Sequence, residues 1–241
     1  MAPTVVLLHG FTHTGTSWDP VVSALGERYR AIAPDLRGHG AAATAMPVSL
    51  DAVLQDLADL TPPGTTLVGY SMGGRIALHL ALTMPDRIGR LVLIGASPGI
   101  ADPAERAARK AADDKLADEF AQLDIEALAE RWAKTPVLAG QPESVQAAVH
   151  ADRLRCTPNG LAAALRHLGT GALESAWDRL ADLTMPVTLI VGERDEKFRA
   201  VAAEMAAGLP NAHISIISGA GHAVHLEDPD AVAALIAGTS G

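Results

Sequence analysis

The run Thr65-Thr66-Leu67-Val68-Gly69-Tyr70-Ser71-Met72-Gly73-Gly74-Arg75 passes from strand to helix through a single serine. The TTLV segment suits a pleated, half-buried strand. Arg75 to Met84 contains no helix breaker, and Pro85 follows. Small residues on either side of Ser71 permit a turn sharp enough to carry its hydroxyl to the tip. The Met72 N–H then lies beside it as a donor to a developing oxyanion. The plainer alternative is a strand-to-helix turn with an N-capping serine. The same G-x-S-x-G pattern recurs at Gly95-Ala96-Ser97-Pro98-Gly99, but Pro98 has no N–H to offer. Ser97 is therefore read as a loop residue on the same sheet edge.

Outward from Ser71, short apolar runs alternate with helical patterns. Thr4–Leu8 (TVVLL) and Arg30–Ala33 read as strands before it, Arg90–Ile94 (RLVLI) after it. Helical spacing covers Trp18–Leu25, and Ser49 is placed to cap a helix carrying Leu50, Val53, Leu54, Leu57 and Leu60, which Pro62-Pro63 stops. Strand, helix, strand at this spacing implies a parallel sheet with crossover helices. From about Asp102 to Leu180 no strand is expected. Leu116, Phe120 and Leu123 share one helical face; Ile125, Leu128 and Trp132 another; Leu161, Leu165 and Leu168 a third. The sheet resumes at Val187–Val191, with a helix to about Gly208, a strand at Ile214–Ile217 and a last helix from Asp228. The expected architecture is α/β: a mostly parallel doubly wound sheet whose core comprises 1–101 and 181–241, with 102–180 inserted as a helical cap. A (β/α)8 barrel would need eight evenly spaced strands; about six are found, with a long gap.

The 241 residues carry 49% apolar side chains, enough for a sizeable core and against disorder. A net charge of −9 without Lys/Arg runs gives no electrostatic footprint for nucleic acid or an anionic membrane. The single cysteine, Cys156, excludes a disulfide framework. No stretch approaches the roughly 18 apolar residues of a membrane span. MAPTVVLLHG lacks a basic leader and cleavage site and reads as structure. The expectation is a cytoplasmic protein.

A serine hydroxyl needs a base, and the base an orienting acid. The order Ser, acid, His directs attention to late histidines. His213 falls within a strand pattern. His222 follows a strand through Ser218-Gly219-Ala220-Gly221, a loop able to aim an imidazole at Ser71; His225 is expected to pack beside it. Asp195 ends VTLIVGERD just past a strand's carboxyl end, where open α/β sheets carry their functional groups. Glu193 and Asp102 compete with it. His9-Gly10-Phe11 follows the first strand, so the Phe11 N–H pairs naturally with that of Met72. His9 and His13 have i,i+4 spacing, but Gly10, Thr12 and Gly15 argue against a helix, and His222-x-x-His225 stands apart from any acidic ligand set, so no metal is expected. No phosphate or dinucleotide loop is present, and no cofactor is expected.

The motifs HGF, DLRGHG, GYSMGG, GERD and GAGH, in this order, resemble the α/β-hydrolase superfamily across the whole chain. GYSMGGR at 69–75, GERDEKF at 192–198, LGTG at 168–171, SPGI at 97–100 and the ERAAR segment at 105–109 narrow this. Together they resemble the 2-succinyl-6-hydroxy-2,4-cyclohexadiene-1-carboxylate synthases of menaquinone biosynthesis, lyases on a hydrolase scaffold. The resemblance implies a catalytic triad of Ser71, Asp195 and His222 and oxyanion donors Phe11 and Met72. It implies substrate binding by Tyr70, Arg75, Arg109 and Trp132, with Arg155 as third arginine and Arg153 as the alternative in register. The implied partner is a small anionic substrate with several carboxylates, a natural ligand for arginine forks. The implied chemistry has Ser71 acting as a base and pyruvate leaving, without metal or cofactor. The rival readings are a serine esterase or C–C bond hydrolase working through an acyl-enzyme, and a non-catalytic ligand binder.

Overall fold

The computed structural model describes residues 2–238; Met1 and residues 239–241, the extremes of the expected core segments, lie outside the described residues. In chain order the elements are β1 (Thr4–Leu8), α1 (Asp19–Leu25), β2 (Arg30–Ile32), α2 (Leu50–Leu60), β3 (Thr65–Tyr70), α3 (Met72–Thr83) and β4 (Ile88–Ile94). There follow α4 (Pro103–Phe120), α5 (Ile125–Ala133), α6 (Glu143–Arg153) and α7 (Pro158–Leu168). The chain closes with β5 (Val187–Gly192), α8 (Glu196–Gly208), β6 (Ala212–Ile217), α9 (Val224–Glu227) and α10 (Pro229–Ala237).

All strand pairs are parallel and the sheet order is β2-β1-β3-β4-β5-β6. A fully parallel sheet needs both faces covered. Alternate residues of each strand accordingly enter two cores. Val6, Leu8, Leu67, Leu91 and Leu189 pack with α2, α3 and α8, whereas Val5, Leu7, Val68, Val92 and Ile190 pack with Trp18, Val232 and Ile236. The chain order reverses between β1 and β3, so their carboxyl ends open a crevice at the switch point, the usual ligand position in such sheets.

Among the described residues no strand lies between Ile94 and Val187; α4 to α7 fill the gap. A third apolar cluster joins Phe120, Leu128, Leu161 and Leu165, and Phe11 and Trp132 pack against it. Several boundaries differ from the sequence reading: β2 ends at Ile32 rather than Ala33, β4 begins at Ile88 rather than Arg90, and β6 begins at Ala212 rather than Ile214. The third helix begins at Met72 rather than Arg75, because Ser71 alone makes the turn. Leu123 lies beyond the end of α4. Helix α6 is not among the helices read from the sequence; Val145 and Val149 are its only buried apolar side chains, too few to mark an apolar stripe. No helix among the described residues is long and apolar enough to cross a membrane.

Candidate active site

Ser71 sits between β3 and α3 with φ 52° and ψ −108°, a conformation a non-glycine residue holds only when its surroundings over-determine it. Its own N–H donates to the Ile94 carbonyl at 2.9 Å, and its carbonyl accepts from the Arg75 N–H at 3.1 Å. Gly73 explains the tight packing: a Cβ there would stand 2.2 Å from the Leu8 carbonyl oxygen. The elbow thus presses against the end of β1, which brings the Phe11 segment alongside. Among the described residues, the Phe11 and Met72 N–H groups take part in none of the turn and loop hydrogen bonds.

His222 arrives on the loop after β6. Its Nδ1 is 2.6 Å from Asp195 Oδ2 and its Nε2 is 3.3 Å from Ser71 Oγ. Asp195 and His222 are both buried. Asp195 also caps α8, accepting from the Phe198 N–H at 3.3 Å, and the Phe198 ring lies 4.6 Å from the imidazole of His222. The competitors are placed elsewhere. Glu193 is exposed and bound to the Gly219 N–H and Ser218 hydroxyl, which hold its carboxyl below the usual range. Asp102 caps α4. His213 is exposed on the edge strand, and His225 is buried against Tyr70 and Trp18.

Gly95, after β4, has φ +52°, and a Cβ there would lie 2.8 Å from His222 Cε1. Gly95→Ala is expected to push the imidazole off Ser71. Turnover should fall at least about tenfold, as for a roughly ångström-scale misplacement, while far-ultraviolet circular dichroism stays unchanged.

A cavity of about 860 Å3 opens on Ser71 and His222. Phe11, Met72, Arg75, Arg109, Trp132 and Asp195 also line it, as does Ser97. Trp132 packs edge-on against Phe11 at 4.9 Å between ring centres. Arg75 is buried, its Nε is unpartnered, and it forms no ion pair among the described residues. Burial pushes its pKa down to about 10, which leaves it charged near neutrality. Arg109 is held at 2.8 Å by Asp113, one turn along α4.

Two expected site residues are not in the cavity wall. Tyr70 is buried behind Ser71, between the rings of His222 at 5.2 Å and His225 at 4.3 Å, and desolvation raises its phenol well above the usual range. Arg155 is exposed on the turn after α6. Of this pair the buried one is Arg153, whose Nε donates to Thr12 Oγ1 at 3.1 Å while Nη2 is unpartnered. It lines a neighbouring cavity of about 650 Å3 that shares Ala139 with the first. Helix α6 ends at Arg153, so its side chain stays on the buried face while Arg155 leaves on the exposed turn. The sequence reading also missed Phe198 as the platform under His222; an aromatic three residues after the acid was its only signal.

His9, in the loop after β1, is fully buried. Its Nε2 accepts from the Leu36 N–H at 2.9 Å and its Nδ1 donates to the Gly10 carbonyl at 2.9 Å, an arrangement only neutral imidazole satisfies. Burial lowers its pKa to about 4. Below pH 6.5 the unfolded chain takes up a proton that the folded chain refuses, so stability falls with acidification until both forms are protonated near pH 4. His9 alone is expected to cost about 0.7 kcal/mol between pH 7 and pH 6. His13, His39 and His225, lowered chiefly by burial, act in the same direction. Urea unfolding at the two pH values measures the sum.

The Alpha/beta hydrolase family matches residues 5–235. The 2-succinyl-6-hydroxy-2,4-cyclohexadiene-1-carboxylate synthase of Enterobacter sp. (strain 638) is 34% identical over 239 residues, 98% of this chain and 90% of that one. The structure of MenH from S. aureus superposes with a TM-score of 0.92 at 33% identity, covering 99% of this chain and 93% of that one. A thermophilic esterase from Thermogutta terrifontis, in its malate-bound structure, gives 0.82 at 27%, covering 98% and 88%. The chain is an enzyme of the alpha/beta hydrolase family and belongs, within it, to the 2-succinyl-6-hydroxy-2,4-cyclohexadiene-1-carboxylate synthases.

Proposed function

We propose that this enzyme eliminates pyruvate from a 2-succinyl-5-enolpyruvyl-6-hydroxy-cyclohexene-carboxylate substrate in menaquinone biosynthesis. The observation that carries the reading is Arg75, a buried cation without a carboxylate partner in the cavity that also holds Ser71 and His222. In a chain of net charge −9, such a cation is matched to an anionic ligand.

In this reading His222, oriented by Asp195, takes the Ser71 proton. Ser71 Oγ then abstracts a ring proton from carbon, the C–H electron pair forms the ring double bond, and the C–O bond to the enolpyruvyl group breaks. Pyruvate leaves as its enolate, and no acyl-enzyme forms. The Phe11 and Met72 N–H groups stabilise charge developing on oxygen in this step. Arg75, Arg109 and Arg153 hold carboxylates, Trp132 packs on the ring, and Tyr70 supports His222 from behind. Residues 102–180 act as the cap that closes the site, and the setting is the cytoplasm.

The direct test is pyruvate release from the enolpyruvyl substrate by purified enzyme. Release with efficient turnover is expected. Absence of release, together with hydrolysis of p-nitrophenyl acetate through an acyl burst, would replace this reading by an esterase.

A further inference from the structure

Asp152, at the end of α6, is a surface-type residue in a core position. It is buried, and its two oxygens are enclosed by donors from the loop that follows β1. Oδ2 accepts from the Thr14 N–H at 2.9 Å and lies 3.3 Å from His13 Nδ1. Oδ1 accepts from the Thr14 hydroxyl and, at 2.8 Å, from the Thr16 hydroxyl. The His13 ring beside it and the Thr14 donors hold its carboxyl well below the usual carboxylate range despite burial. A carboxylate sunk this far is tolerable only with nearly complete satisfaction, and removal of its charge leaves several donors unpaired.

The loop it grips is strained. Thr12, directly after Phe11, has φ +66°, which a β-branched residue adopts only under constraint. The next residue of α6, Arg153, donates to the Thr12 hydroxyl at 3.1 Å. Two consecutive residues therefore clamp the turn, the first on its far side at Thr14 and Thr16, the second at Thr12. Past them the chain emerges, with Leu154 and Arg155 exposed.

We propose that Asp152 is a positioning residue: it pins the turn after β1 to α6, and so fixes both the direction of the Phe11 peptide and the inward orientation of Arg153. The proposal rests on the reading of Phe11 as oxyanion donor and Arg153 as a carboxylate-binding cation. Asp152 touches no reacting atom. It acts through Phe11, placed at the reacting oxygen, and Arg153, placed to hold a carboxylate, which is why its effect is expected in both turnover and substrate affinity.

The test compares wild type, Asp152→Asn, Arg153→Ala and the double variant by pyruvate release. Alongside, succinate is titrated as a carboxylate probe by isothermal titration calorimetry, which needs no turnover. Asp152→Asn is expected to lower kcat about tenfold and to weaken succinate about tenfold. The double variant should bind succinate no more weakly than Arg153→Ala. A lowered melting temperature with wild-type kcat and wild-type succinate affinity would reduce Asp152 to a structural element and overturn the proposal, as would additive losses in the double variant. If wild type releases no pyruvate, the function reading fails and the succinate titration alone decides for or against Asp152. If wild type does not bind succinate, the inward cation is no carboxylate site and the proposal falls. Should Asp152→Asn not fold, Thr16→Val, which removes one of the hydrogen bonds, decides: about a threefold loss in succinate affinity supports the proposal, and wild-type affinity overturns it.

Discussion

Ser71→Ala is expected to reduce pyruvate release by about a thousandfold, within the 10²- to 10⁴-fold range of positioned proton transfer. The loss should appear in kcat, with KM little changed, because the hydroxyl contributes to the transition state rather than to substrate binding. His222 Nε2 stands 3.3 Å from Oγ, close enough for the proton transfer that makes the oxygen basic. A cysteine at this position would not rescue a base mechanism as it can a nucleophilic one, since thiolates are far weaker bases than alkoxides. Steady-state kinetics of Ser71→Ala and Ser71→Cys, with intact-protein mass spectrometry for covalent adducts, separate the two chemistries. An adduct that forms and decays at the turnover rate would make Ser71 a nucleophile.

Arg75→Ala is expected to lower kcat/KM about a hundredfold. A hundredfold loss is about 2.7 kcal/mol, the net size of one hydrogen bond between charged groups, about 1.5–3 kcal/mol. Arg75→Lys should recover only part, because an ammonium cannot present the planar fork. Neutral esters should be insensitive to the same change. If Arg75→Ala acts on the enolpyruvyl substrate with wild-type efficiency, the guanidinium faces no substrate charge.

The sheet and the Ser71–His222–Asp195 grouping were legible for a common reason. Each of these residues follows a β-rich run through glycine or a charged turn, and a parallel sheet gathers every such loop at one edge. Met72 and Pro98 alone separated the two G-x-S-x-G matches, because only the first carries an N–H. What the sequence withheld was rotation about helices. Arg153 and Arg155 differ by two positions, and only the termination of α6 decides which turns inward. Tyr70 is adjacent to Ser71 in the chain, yet strand alternation sends its ring into the opposite core. Asp152 looks like any acidic residue near a helix end, since nothing in its neighbours announces the Thr14 and Thr16 donors more than 130 positions earlier.

The solitary charge of Arg75 also makes the empty enzyme the less stable of its two forms. Folding must strip water from that guanidinium without giving it an ion pair among the described residues, so any anion that enters offsets part of the desolvation. Occupancy and stability are then linked: a carboxylate at a hundred times its Kd would add about 2.7 kcal/mol to the folded state. Melting curves of the resting protein should therefore rise in citrate or succinate over chloride at equal ionic strength, and a shift confined to carriers of Arg75 would turn simple thermal scanning into a survey of what the cavity accepts.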